Sequence, residues 1–123
     1  MILTMTQHAA TPDQVSSGVV DWDSKTVVSM RKLLTFTSLP DMDKVMSAAV
    51  ALVSLLRANY DYQKVDAVMI GGAPYLMPAL VSQLQQAGYH PTFAYSDRVS
   101  IDTVKDDGST HKAVVFKHMG FVD

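Results

Sequence analysis

The sequence predicts a three-layer α/β domain, with a mostly parallel sheet and an antiparallel hairpin at its carboxyl end. Three observations carry this. Short apolar runs alternate with stretches of helical period, as in chains that wind strand, helix, strand around one sheet. Ala67-Val68-Met69-Ile70 is apolar at every position, as a parallel strand buried on both faces requires. The last quarter changes to alternating residues around Asp106-Asp107-Gly108-Ser109, a hairpin signal. At 123 residues the chain makes a single domain, with a core large enough to need no staples.

Taken in order, Ile2 to Thr6 is the first strand, apolar with interleaved threonines. Thr11-Pro12-Asp13-Gln14 then starts a short helix. Thr11 caps it, Pro12 suits its first position, Gln14 closes a capping box, and Gly18 stops it. Val19-Val20 adds a short strand. Asp23 or Ser24 caps a second helix reaching about Leu34. Ser38-Leu39-Pro40-Asp41 opens a longer one, with Pro40 in its first turn. Met42, Val45, Met46, Ala49, Leu52, Val53 and Leu56 recur at three- and four-residue steps and give that helix a broad apolar face ending near Asn59. After the buried strand and Gly71-Gly72, a helix carries Leu76, Met77, Leu80, Val81 and Leu84. Pro74 and Pro78 fall at or near its start and Gly88 closes it. Pro91 to Tyr95 is the next strand. Arg98 to Lys105 and Thr110 to Phe121 form the hairpin. This succession is Rossmann-like.

Composition narrows the function classes. Hydrophobic residues make up 48% and charged residues 18%, which disfavours a disordered chain. A formal net charge of -2 disfavours binding of duplex nucleic acid by bulk charge, while leaving room for a local basic pocket. The absence of cysteine removes disulfides, thiolate nucleophiles and Cys-based zinc sites, and fits a cytoplasmic protein. No stretch reaches the roughly 18 apolar residues of a membrane span. No HxH, HExxH or carboxylate cluster suggests a metal, and His111 and His118, seven apart in a strand, face opposite sides. No cofactor is expected. The eight methionines read as flexible core filling.

In an open parallel sheet, ligands gather beyond the carboxyl ends of the strands, where strand order reverses. Three segments leave such ends: Thr6-Gln7-His8, Gly71-Gly72-Ala73-Pro74 and Ser96-Asp97-Arg98. Gly71-Gly72 is either a tight turn or a bare main-chain cradle for phosphate. His8 is a general base, a ring that stacks on a ligand, or a plain loop histidine. Arg98 either clamps phosphate or pairs with Asp97 or Asp102. Lys117 and His118 either approach the same rim or belong to a solvated strand face. If Met42, Met46 and Val53 are exposed, they mark a surface for a partner, and the chain is then a non-enzymatic interaction module.

Gln7-His8 with Thr11-Pro12-Asp13-Gln14, Gly88 to Arg98, Asp107-Gly108-Ser109 and Val115 to Phe121 resemble small single-domain members of the CRISPR-associated Rossmann-fold (CARF) superfamily. The chain is also similar to small proteins of bacteria and their phages. The resemblance implies a homodimer that binds a cyclic oligoadenylate, or another phosphate-bearing small molecule, across its two-fold axis. It further implies a metal-independent ring nuclease, in which a ribose 2′-hydroxyl attacks the neighbouring phosphate. On this chain the catalytic positions would be His8, Ser96 and Arg98. Gln7, Thr11, Gly71, Gly72, Ala73, Lys117 and His118 would contact the ligand.

Overall fold

The computed structural model describes residues 1–104 and 106–123, with the side chains of Val99, Ile101, Thr103, His111 and Phe116 outside the description. Its strands are β1 (Ile2–Met5), β2 (Val19–Val20), β3 (Ala67–Ile70), β4 (Pro91–Val104) and β5 (Thr110–Val122). Its helices are α1 (Pro12–Ser16), α2 (Val27–Leu34), α3 (Met42–Asn59) and α4 (Met77–Gln86), with a short 3₁₀ turn over Tyr62–Lys64. The sheet order is β2-β1-β3-β4-β5. The first four strands are parallel and β5 is antiparallel to β4. The predicted α/β class and its carboxyl-terminal hairpin are both present.

Local chemistry explains most element boundaries. Thr11 Oγ1 accepts from the Gln14 amide at 3.2 Å, and Gln14 Oε1 accepts from the Thr11 amide at 3.0 Å, so the capping box forms as expected. Gly18, at φ 98°, takes the left-handed conformation that ends α1. Two starts differ from expectation. The Asp23 carboxylate accepts from the Lys25 and Thr26 amides, which makes a tight turn, and α2 begins only at Val27. Asp41 caps α3 by accepting from the Lys44 amide at 2.8 Å, which leaves Pro40 outside the helix. Pro78 lies in the first turn of α4 and Pro74 in the turn before it.

The core lies on one face of the sheet. Leu3, Met5, Val68 and Ile70 point into it and meet Trp22, Met30 and Leu34, then Leu52 and Leu56 of α3 and Leu80 and Leu84 of α4. On the other face Thr4, Met69 and Thr92 are buried but belong to no part of that cluster. There α1 touches both β2 and β5, which stand at opposite edges of the sheet. The β4–β5 ribbon therefore curls across this face to reach α1. Helices α2 to α4, the sheet, and α1 with the ribbon make the three layers.

The largest departure is in β4. The strand does not end at Tyr95 but continues as one element to Val104. Tyr95 stands opposite Gly120 and Ser96 opposite His118, which leaves Met119 as the extra residue of a bulge. The expected strand and the expected first arm of the hairpin are thus one strand, bent where the register shifts. Lys105, in the expected alternating run, lies outside the described residues.

Leu52 is fully buried at the centre of the helical layer. Leu52→Ala should cost about 2–5 kcal/mol, read from urea unfolding. Three exposed carboxyls are held below the ordinary carboxylate range: Asp23 by the Thr26 and Lys25 amides, Asp107 by the Ser109 hydroxyl and amide, and Asp123 by the Thr92 hydroxyl and His90. A depressed folded-state value means that the unfolded chain takes up protons first. The stability these groups provide is present above about pH 4 and is lost as pH falls below it. The urea midpoint should therefore drop between pH 5 and pH 2.5, and the gap between Asp23→Asn and the native chain should close over that range.

Candidate functional site

From β1 the chain moves outward to β2, then crosses back over β1 to β3 and on to β4. The direction of winding therefore reverses between β1 and β3, where an open α/β sheet leaves a crevice. A cleft of about 400 Å³ lies there. Its walls are Thr6, His8 and Ala9 from the exit of β1, Thr11 and Gln14 of the α1 start, Met69, Ile70 and Gly71 from β3, and Phe93 and Ala94 from β4.

Each wall has a local cause. Thr6 Oγ1 donates to the His8 carbonyl at 2.9 Å and bends the chain as it leaves β1. Asp21 Oδ1 accepts from the Ala10 amide at 3.0 Å and from Thr4 Oγ1 at 3.3 Å, anchoring the loop to the strand. Trp22 Nε1 donates to the Thr4 carbonyl in the buried layer below. A Cβ on Gly71 would meet the Thr6 methyl at 3.5 Å, an ordinary contact. Gly72 is the conformationally obligate member of the pair, at φ 143°. Among the described residues His8 is the one titratable wall residue, and no carboxylate, Lys or Arg lines the cleft.

Of the residues singled out from the sequence, His8, Thr11 and Gly71 share this cleft. Gln7 turns away from it, and its Nε2 donates to the Arg31 carbonyl at 3.1 Å and to Thr35 Oγ1 at 2.7 Å. Gly72 and Ala73 continue into the turn before α4, where the Ala73 carbonyl accepts from the Leu76 amide. Ser96-Asp97-Arg98 does not leave a strand end, contrary to expectation. All three lie within β4, opposite His118, Lys117 and Phe116, and none lines the cleft. The Arg98 amide donates to the Asp97 carboxylate at 2.8 Å. By strand alternation Ser96, Arg98 and His118 share one ribbon face and Lys117 takes the other. The His118 ring meets Phe121 edge-on at 4.9 Å, and both its nitrogens are buried without a hydrogen-bond partner. The side chain of His111 lies outside the described residues.

The sequence reading missed Phe93 and Gln14 as walls. The signal for Phe93 was its level position beside Ile70. Gln14 was legible only as a capping residue. Met42 and Met46 are exposed as the interaction reading requires, but Val53 is buried. Among the described residues no group of three or more His, Asp or Glu side chains could hold a metal ion. No described helix is long and apolar enough to cross a membrane.

A family model described as the Uncharacterized protein MJ1673 family matches residues 1–122. The chain belongs to that family. The match takes in both the cleft and the ribbon, so this architecture lies within the family's span. No curated protein and no solved structure matches the chain.

The buried, unpartnered nitrogens of His118 carry an unrecovered desolvation cost. His118→Phe keeps the ring contact with Phe121 and removes both polar atoms. It should raise stability by about 1 kcal/mol, a few degrees in Tm by calorimetry.

Proposed function

We propose that the chain binds a nucleotide, or another phosphate-bearing small molecule, in the switch-point cleft. The observation that carries this is the reversal of winding between β1 and β3, directly beneath a concavity of ligand size. Met69, Ile70 and Phe93 offer apolar surface to a base. Thr6, Gln14 and His8 offer polar contacts to a ribose or phosphate. Among the described residues no carboxylate lines the cleft to oppose an anion. Such a ligand also suits the cytoplasmic setting inferred from the cysteine-free composition.

The finer form of the reading is a cyclic oligoadenylate, and it rests on the resemblance to CARF proteins. A cleft of about 400 Å³ takes one nucleotide unit, so a ring would bridge two copies of the chain. His8 would take the proton of the 2′-hydroxyl. The 2′-oxygen would bond to phosphorus, the 5′-oxygen would leave and take up a proton, and a 2′,3′-cyclic phosphate would remain. No metal enters this route. A part for Ser96 and Arg98 requires the ligand to extend from the cleft onto the ribbon.

A second reading, a protein-interaction module, is favoured by the exposed Met42, Met46 and Val50 of α3, with exposed Leu39 in the segment before it.

Calorimetric titration with AMP and with cyclic tetra-adenylate, followed by chromatography of the products, separates these readings. We expect binding of at least one, weakened tenfold or more by His8→Ala and by Gly71→Val, which narrows the cleft. Arg98→Ala should weaken only the larger ligand. Binding that survives both cleft substitutions would move the site elsewhere. An absence of binding to both ligands would leave the interaction module.

A further inference from the structure

On the helical side of the sheet, where α2 ends and α3 begins, two hollows adjoin. Their volumes are about 440 and 590 Å³, and they share Lys32, Thr35 and Thr37. Lys44 and Ser38 line the first, and Arg31 lines the second. Three cations and four hydroxyls, those of Thr35, Thr37, Ser38 and Ser47, thus line the adjoining hollows. Among the described residues no carboxylate lines either hollow.

Among the described residues none of the three cationic side chains takes part in an ion pair. Arg31 Nε is buried and has no acceptor. Arg31 and Lys32 sit in the last turn of α2, where positive charge offsets the negative end of the helix. That local benefit does not extend to Lys44. It stands in the first turn of α3, the end at which a cation is disfavoured, beside the capping Asp41 and Asp43, neither of which is ion-paired with it. Like charges gathered at one concavity repel, and a buried guanidinium N–H without an acceptor costs free energy. A polyanion resting in the groove relieves the repulsion.

The wall is also held in place. Thr35 Oγ1 donates to the Arg31 carbonyl at 2.9 Å, and the Gln7 amide donates to both of those oxygens. This ties the groove to the exit of β1, although it shares no wall residue with the switch-point cleft.

We propose that this groove is an anion site for a ligand carrying two or three linked phosphates. The Arg31 guanidinium, two ammonium groups and the Thr37 and Ser38 hydroxyls supply the charge and the donors that such a chain would take. A lone carboxylate would leave two cations uncompensated. The inference is independent of the cleft and of what the cleft holds.

The test is calorimetric titration of the full chain with inorganic tripolyphosphate at low and high salt. Saturable binding should weaken as salt rises. Lys32→Gln/Lys44→Gln, both on exposed side chains, should reduce affinity at least tenfold. Arg31→Gln should do likewise where circular dichroism shows it folded. His8→Ala should have no effect, so failure of the cleft reading and failure of this one are separable. The proposal is overturned if the native chain shows no saturable binding, or if the double variant binds as well as the native chain. It is equally overturned if Lys25→Gln/Lys64→Gln, a pair outside the groove, loses as much affinity.

Discussion

The structure depends on β1 being paired in parallel on both sides. Its four residues bond to β2 over Ile2 and Leu3 and to β3 from Ile2 to Met5. A strand in that position cannot be followed by a hairpin. The chain must leave its carboxyl end, cross a face and return from the other end. It does so first toward β2 through α1, then in the opposite direction through α2 and α3. Both faces of β1 are consequently covered, and its exit becomes the one place where two crossovers part. The cleft is a product of that parting rather than of any single motif.

Small polar contacts turn this topology into a shaped site. Asp21 and Trp22 reach back to β1 from just beyond β2, and so register the outer strand's exit against the central one. The ring of Trp22 packs edge-on against Tyr60, whose carbonyl accepts from the Tyr89 hydroxyl at 2.6 Å. The loop beside the cleft is thus linked through the helical layer to the entry of β4. Thr6 and Asp21 meanwhile hold the main chain around His8 in a bent path, which lets an imidazole face the cleft from a segment with no secondary structure of its own.

The molecule separates apolar shape from charge. Among the described residues no Asp, Lys or Arg lines the cleft, whereas the α2–α3 groove gathers Arg31, Lys32 and Lys44. Gln7 stands between the two, its backbone in the β1 exit and its amide bonded to the Arg31–Thr35 turn. A net charge of -2 conceals this, because acidic residues are spent on caps and turns at Asp23, Asp41, Asp61 and Asp107. Bulk charge is a poor guide where carboxylates serve the backbone and cations do not.

The sequence alone determined what depends on neighbours along the chain. The Thr11-to-Gln14 capping box, the glycine stop at Gly18, the all-buried β3 and the Asp-Gly hairpin are local chemistry, and all were legible. So was the β3–α4–β4 crossover, because period and length distinguish buried strands from amphipathic helices, whereas the place of β1 in the strand order was not. Tertiary structure decided the rest. It ran β4 through Tyr95 without a break, since pairing with β5 rewards continuation that strand propensity does not reveal. That continuation carried Ser96 and Arg98 away from the rim where a strand end would have left them. It also set Lys32 and Lys44, twelve positions apart, on the walls of one hollow, because the corner between α2 and α3 folds the chain back on itself. Residues that meet only through such turns leave no periodic trace, and their meeting is set by packing.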